Sequence, residues 1–377
     1  MKSRKRKKST SSSLATLIVL AVFVIMVIAA IFYFTDSDPR DAIQNISNRI
    51  GLDIPMDKDD LVPSSSLFNS IGTPAPAQED DPEESNPTAE PTSEPSIFKD
   101  GESAFDKADF SRLLPRPNQL TVIVLDVGQG DSIFIRAPNG KNMLIDTGTS
   151  DYWNRLQYYF EQLGISKFDV LIATHPHSDH IGSMSKVIQN YEVSEIYMPR
   201  VAHTSRTYQT LLETIAGQNK KVHALEGGKK QTIPLDSDVR IDVLAPLDPD
   251  YENLNDHSAV LRIQYKQHSM LLTGDAEKKS ENDMLDFYGA QLQVNILKVG
   301  HHGSNTSSTK KFLEAVSPAD AIISTGIDNE YKHPHPKVLS RLHEQGITVY
   351  RTDLNSSVAV FFNGSQYELV TAYSDPS

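Results

Sequence analysis

Cysteine is absent from this 377-residue chain. That excludes disulfide bonds and thiolate metal ligands, so stability has to come from a packed core and any metal site from nitrogen and oxygen donors. No segment recurs at a fixed period, which excludes a solenoid. A basic surplus is missing as well. Residues 101–377 hold 26 basic against 34 acidic side chains, which is not the footprint of a tight nucleic-acid binder, although a local basic patch is compatible with it. At 38% hydrophobic residues the chain can bury a substantial core, but most of its 21 prolines fall early, so not all of it is expected to fold.

The first 13 residues lack any acid and carry six cations within Met1-Lys2-Ser3-Arg4-Lys5-Arg6-Lys7-Lys8, and residues 14–34 lack charge altogether. As a helix that uncharged run spans roughly 30 Å, the thickness of a bilayer core. The sequence therefore predicts a basic cytoplasmic tail over 1–13 and a transmembrane anchor over 14–34. A cleaved signal peptide is the competing reading, because Ala29-Ala30 supplies small residues. The run, however, exceeds the ~7–15 residues of a signal core and ends in the aromatic Ile31-Phe32-Tyr33-Phe34. With the cations before the span and Asp36 and Asp38 after it, the positive-inside rule sets a single-pass protein of the cell membrane whose C-terminal domain is extracellular.

Residues 35–117 read as an acidic, Pro-rich linker. Its stretch 63–95 has too little apolar content to offset chain entropy and is expected to be disordered. Within the linker, Ile43, Ile46 and Ile50 suit a short amphipathic helix over 42–50 lying at the membrane surface. Residues 118–377 are the folded domain.

The densest signal in that domain is Thr174-His175-Pro176-His177-Ser178-Asp179-His180, which follows the apolar strand pattern of residues 169–173. Side chains alternate along an extended segment, so His175 and His177 face the same way and suit one metal ion. Pro176 keeps His175 extended. Asp179 and His180 open the following helical pattern, offset toward a second ion, and Gly182 closes the run. The interleaved carboxylate sets this apart from a solvated polar loop.

Around the run, strands are expected over 122–127, 132–137 and 143–146, with Pro138-Asn139-Gly140 as a hairpin turn, and a helix over 153–163. Further strands fall at 239–244, 259–265, 270–273, 296–299, 321–324, 349–350, 357–362 and 367–370. Helices fall at 277–288, 310–316 and 336–345. Strands and helices interleave as an α/β sandwich requires.

Together with the histidine run, five further segments resemble, in order, the signatures of the metallo-β-lactamase fold hydrolases of the ComEC/Rec2 type. They are Leu125-Asp126-Val127-Gly128-Gln129-Gly130-Asp131-Ser132, Ile145-Asp146-Thr147-Gly148, Leu272-Thr273-Gly274-Asp275, Lys298-Val299-Gly300-His301-His302-Gly303-Ser304 and Tyr350-Arg351-Thr352-Asp353. The resemblance runs from about residue 118 to 371. It implies a four-layer αββα sandwich with a centre of one or two divalent ions, zinc or manganese, held by His175, His177, Asp179, His180, Asp275 and His302. Asp275 would bridge the ions. Of His301 and His302, the resemblance suggests one ligand and one group facing the substrate, assigned here as His302 and His301 respectively.

Asp126 and Asp131 read either as partners that orient ligands or as turn residues. The wider superfamily places a third histidine of the first ion near Asn255-Asp256-His257-Ser258. The ComEC/Rec2 type requires none there, so His257 is open. In Tyr331-Lys332-His333-Pro334-His335-Pro336, His333 reads as a group that positions a phosphate or protonates the leaving oxygen, against an exposed turn leading into a helix at Pro336. Asp179, His301 and His333 are thus the expected catalytic residues.

The multi-span channel of the ComEC/Rec2 type is not part of the chain. The implied function is a membrane-anchored phosphodiesterase acting on extracellular DNA. The alternatives are an esterase of cell-envelope phosphodiesters such as phosphocholine esters, a β-lactamase, or a surface scaffold without catalysis.

Overall fold

The computed structural model describes residues 39–54 and 104–373. The expected basic tail, membrane anchor and most of the linker lie outside the described residues. Among the described residues no helix is long and apolar enough to cross a membrane.

Helix α1 (Pro39–Ile50) comes first, followed after residue 104 by a 3-10 turn (Phe110–Leu113). The first half of the domain then runs through β1 (Leu120–Val124), β2 (Ile133–Arg136), β3 (Asn142–Ile145), α2 (Trp153–Gln162), β4 (Lys167–Ile172), α3 (Ser178–Ile181), α4 (Met184–Asn190), β5 (Glu192–Pro199), α5 (Arg206–Gly217) and β6 (Val222–Leu225). The second half supplies β7 (Val239–Ala245), β8 (Val260–Tyr265), β9 (His268–Leu272), α6 (Lys278–Tyr288), β10 (Ile296–Lys298), α7 (Lys310–Val316), β11 (Asp320–Ile323), α8 (Pro336–Glu344), β12 (Thr348–Arg351), α9 (Thr352–Asn355), β13 (Val358–Phe362) and β14 (Tyr367–Thr371).

Two sheets result. One has eight strands in the order β14-β13-β1-β2-β3-β4-β5-β6, and the other has six, β12-β11-β10-β9-β8-β7. In each, an antiparallel part gives way to a parallel one, at β3/β4 in the larger sheet and at β9/β10 in the smaller.

Strand alternation explains the layering. Leu144, Phe168 and Leu171 join the core under α2, α4 and α5, whereas Met143, Ile145, Val170 and Ile172 on the opposite face join the core between the sheets. In the smaller sheet Met270, Leu272, Ile296 and Ile322 point inward to the same central core, and Leu271, Leu297, Ala321 and Ile323 point out beneath α6, α7 and α8. Strands covered on both faces read as unbroken apolar runs, which is why they stood out in the sequence. The order of layers is helix, sheet, sheet, helix.

The expected linker boundary at 117 is corrected by this packing. The apolar face of α1 is helical as its spacing predicts, but Ile43 and Ile50, with Leu52 and Ile54 beyond them, are buried in the core shared with Leu211 and Ile215 of α5. Lys221 Nζ donates to the Arg49 carbonyl at 2.6 Å and fastens the end of the helix to the domain. Phe110 and Leu113 enter the same core, and Asp109 N donates to Ala372 O at 2.9 Å. Amphipathic spacing specifies one apolar face and leaves open what covers it. Here the cover is the domain itself, so residues 39–54 and 104–117 belong to the fold.

Candidate metal centre

The site sits where the parallel strands of both sheets end, the position at which open α/β sheets gather their ligands. β4 delivers His175 and His177, and α3 follows at once with Asp179 and His180. From the other sheet β9 delivers Asp275, and β10 leads into a tight turn carrying His301 and His302. The two halves are joined by Ala259 N donating to Thr174 O at 2.9 Å.

Backbone shape aims these side chains. His301 and His302 both lie in the left-handed region, at φ 48° and 56°, a conformation that costs a non-glycine residue energy and turns both rings toward the cleft. Gly130 holds φ 137° with its Cα against the backbone of Asp179, where a Cβ would stand 2.3 Å from the Asp179 carbonyl oxygen. Only glycine lets the β1–β2 loop come this close.

Asp275 is the hub. Its Oδ2 lies 3.2 Å from His180 Nε2, 3.5 Å from His302 Nε2, 3.7 Å from His301 Nε2 and 3.8 Å from His175 Nε2. Asp179 Oδ2 stands 3.3 Å from His302 Nε2 and 3.8 Å from His180 Nε2. His175 Nε2 meets His177 Nδ1 at 3.0 Å. Asp179, His180 and His302 therefore cluster with this carboxylate on one side, while His175 approaches it from the other and is joined to His177.

Two of the candidate ligand nitrogens, on His180 and His302, are set by what the ring's other nitrogen touches. His180 Nδ1 meets Asp146 Oδ2 at 2.8 Å, and Asp146 is itself pinned by Thr174 N and Oγ1 at 2.8 and 2.6 Å. His302 Nδ1 meets the Ser324 carbonyl at 3.0 Å and faces Asp131 Oδ1 at 3.4 Å. Both Nε2 atoms are left aimed into the cleft. Asp131 in turn holds the buried Lys298, whose Nζ donates to Asp131 Oδ2 at 2.9 Å. Lys298 shares the inward face of β10 with Ile296, so it crosses from one sheet to the other behind the site.

Burial and mutual charge polarise the cluster. Burial alone would raise the Asp275 carboxyl, but His180, His302 and His301 hold it well below the usual range. Burial likewise opposes charge on His180 and His302. For His180, the carboxylates of Asp275, Asp179 and Asp146 overcome that and keep the ring well above the ordinary histidine range. For His302, Asp275, Asp131 and Asp179 do the same. His175 goes the other way, pushed well below by burial and by His180 and His177.

A divalent ion fits this arrangement. His180 Nε2, His302 Nε2 and Asp275 Oδ1 are buried without a hydrogen-bond partner, a state that costs on the order of 1–3 kcal/mol per group unless something occupies the space between them. Asp179, His180, Asp275 and His302 each offer an atom within 4.8 Å of the others. All are nitrogen or carboxylate oxygen donors suited to zinc or manganese.

The metallo-beta-lactamase superfamily description matches residues 125–327. The chain belongs to this superfamily. Among curated relatives, it is 34% identical over 254 residues to ComE operon protein 3 of Bacillus subtilis, covering 63% of this chain and 32% of that protein. It is 34% identical over 244 residues to competence protein ComA of Neisseria gonorrhoeae, covering 64% and 32%. It is 33% identical over 258 residues to recombination protein 2 of Haemophilus influenzae, covering 67% and 30%. The chain thus spans about a third of the length of these relatives. It is a metallo-β-lactamase-fold module related to competence proteins.

Other residues around this superfamily site divide cleanly. His257 is turned away, its Nε2 bonded to the Tyr251 carbonyl at 2.9 Å. The neighbouring Ser258 faces the site instead: its Oγ accepts from Asp275 N at 3.1 Å and meets His175 Nδ1 at 3.3 Å. Asp126 serves its own loop, pairing with Arg155 at 3.0 Å and accepting from Gly128 N at 3.1 Å. His333 stands at the rim, its ring 5.6 Å from that of His301, with Nδ1 unpartnered; burial, with His301 and His302, pushes it down to about 4. His335 caps α8 and Pro336 opens that helix, as the turn reading requires.

Three residues in the site had no assigned role from sequence. Glu277 Oε1 stands 3.1 Å from His301 Nδ1 and is itself held by Asn255 and Asn253, both at 2.9 Å. His203, with its ring 5.9 Å from His177 and its Nδ1 bonded to Ser205 Oγ at 2.9 Å, props the histidine loop. Asp146 belonged to a quoted motif and was visible there, but only its contact with His180 reveals what it does.

Proposed function

We propose that this chain is a metal-dependent phosphodiesterase, anchored in the cell membrane with its domain outside, that cleaves DNA. The observation that carries the reading is the convergence of His180, His302 and His175 on the single oxygen Asp275 Oδ2, with His180 Nε2, His302 Nε2 and Asp275 Oδ1 buried and left unpaired. One or two divalent ions in this cluster would supply Lewis-acid activation of water and neutralise charge developing at phosphorus. The chain's own residues do the rest. His175, His177, Asp179, His180, Asp275 and His302 hold the charge in place, and Asp146, Asp131 and Ser324 fix the ring orientations. His301, aimed by Glu277, and His333 face the open side, where an N–H directed at the leaving oxygen favours its departure.

The choice of phosphodiester draws support from the likeness to competence and recombination proteins. The purified protein should contain zinc or manganese and cleave bis(p-nitrophenyl) phosphate and single-stranded DNA. Turnover restricted to phosphocholine esters would move the substrate to the cell envelope, and turnover restricted to a cephalosporin would make the protein a β-lactamase. No bound metal and no turnover of any of these would leave a scaffold.

The location rests on the six cations before the uncharged run of residues 14–34. Protease added to intact cells should cut between about residues 63 and 95, read on a denaturing gel as a shortened chain, because α1 still holds the nicked domain to the anchor. Cutting only after lysis would place the domain inside.

A further inference from the structure

We propose that Tyr331 forms a nucleobase-binding subsite beside the metal centre, on which a base of single-stranded nucleic acid stacks while the neighbouring phosphate enters the site. The inference deepens the phosphodiesterase reading and rests on it. The loop between β11 and α8 carries Ile327, Tyr331 and His333 along the open side of the cleft. At 61% exposure Tyr331 is the most exposed large hydrophobic side chain among the described residues. It is nevertheless held in a defined place. Its ring lies 5.7 Å from that of His333 at an interplanar angle of 25°, and the His333 ring lies 6.5 Å from that of His302 at 27°. Three rings, each tilted by 25–27° from the next, therefore step from solvent to a candidate metal-site imidazole, on the scale of a base and the phosphate next to it. The Tyr331 phenol is near enough to the centre to feel the Asp179 carboxylate and the His302 ring.

Charge makes such a platform necessary. With 34 acidic against 26 basic side chains from residue 101 onward, the domain has little general attraction for a polyanion. Affinity beyond the ions themselves has to come from contacts that do not depend on phosphate charge. Stacking on an aromatic ring is such a contact, is indifferent to base identity, and contributes about 1–3 kcal/mol per base.

The test compares two single-stranded substrates with the same phosphates, an intact oligodeoxynucleotide and a matching run of abasic deoxyribose phosphates, using the metal-loaded full chain. The wild type should show a KM roughly tenfold lower on the intact strand, the size of about 1.4 kcal/mol. Tyr331→Ala should lose that discrimination and Tyr331→Phe should keep it. Discrimination retained by Tyr331→Ala overturns the subsite. So does a kcat loss that is equal on both strands, because it reduces Tyr331 to a prop for His333. Failure of the wild type to cleave either strand overturns the DNA-cleaving reading on which the subsite rests.

Discussion

Replacement of Asp275 by Asn is expected to abolish hydrolysis and to lower the bound metal while the domain stays folded. Asn has nearly the same volume, and the Asp275 backbone N–H still has Ser258 Oγ to donate to, so packing is little disturbed. What disappears is the negative charge against which His175, His180, His301 and His302 converge. Loss of a charge preorganised at a reacting centre costs on the order of 10²–10³ in turnover, and loss of a shared ligand adds to that by emptying the site. Turnover on bis(p-nitrophenyl) phosphate, metal content by elemental analysis and circular dichroism would be read on the same sample. Activity and metal content both equal to wild type would eliminate Asp275 as the shared ligand.

Lys298→Met should be the most destabilising single change that touches no substrate. Lys298 is fully buried, and its Nζ donates to Asp131 Oδ2 and to the Val299 carbonyl at 2.9 and 3.0 Å. Methionine fills the space but leaves the Asp131 carboxylate buried without its countercharge. Breaking a buried pair on one side typically costs about 3–5 kcal/mol, whereas replacing both partners by apolar groups is often neutral. For a domain of this size that loss corresponds to a Tm lower by roughly 10 °C. The double variant Lys298→Met/Asp131→Leu should regain most of the stability without regaining activity, because Asp131 also faces His302. A single variant within about 1 kcal/mol of wild type in urea unfolding would show that the pair does not hold the sheets together.

The two features differ in how visible they were in the sequence. Asp275 and the histidine run follow strands buried on both faces, and such runs are unmistakable because alternation gives no polar interruption. Lys298 ends one of those runs, where a lysine ordinarily reads as a side chain reaching for water. Its partner lies 167 positions earlier, a separation no local pattern encodes. The segment from α4 to β6 carries no comparable signal in the sequence. α4 has only seven residues, and β5 carries the exposed Glu192 and Glu195 among its apolar positions, so neither period is sustained long enough to stand out. His257 and Ser258 show the same limit at the scale of one residue. The 3-10 turn Leu254–His257 decides which of two neighbours faces the cleft, and composition does not record the turn.

The assembly of the cluster from both sheets orders events during synthesis. His175, His177, Asp179 and His180 leave the ribosome with β4 and α3, but Asp275 and His302 arrive only after β9 and β10 have been made. Until the second sheet closes on the first, the early histidines have no shared carboxylate to converge on. A chain interrupted before β10 would lack His302 and also β13 and β14, which complete the first sheet, and so would have neither the full cluster nor the frame that holds it.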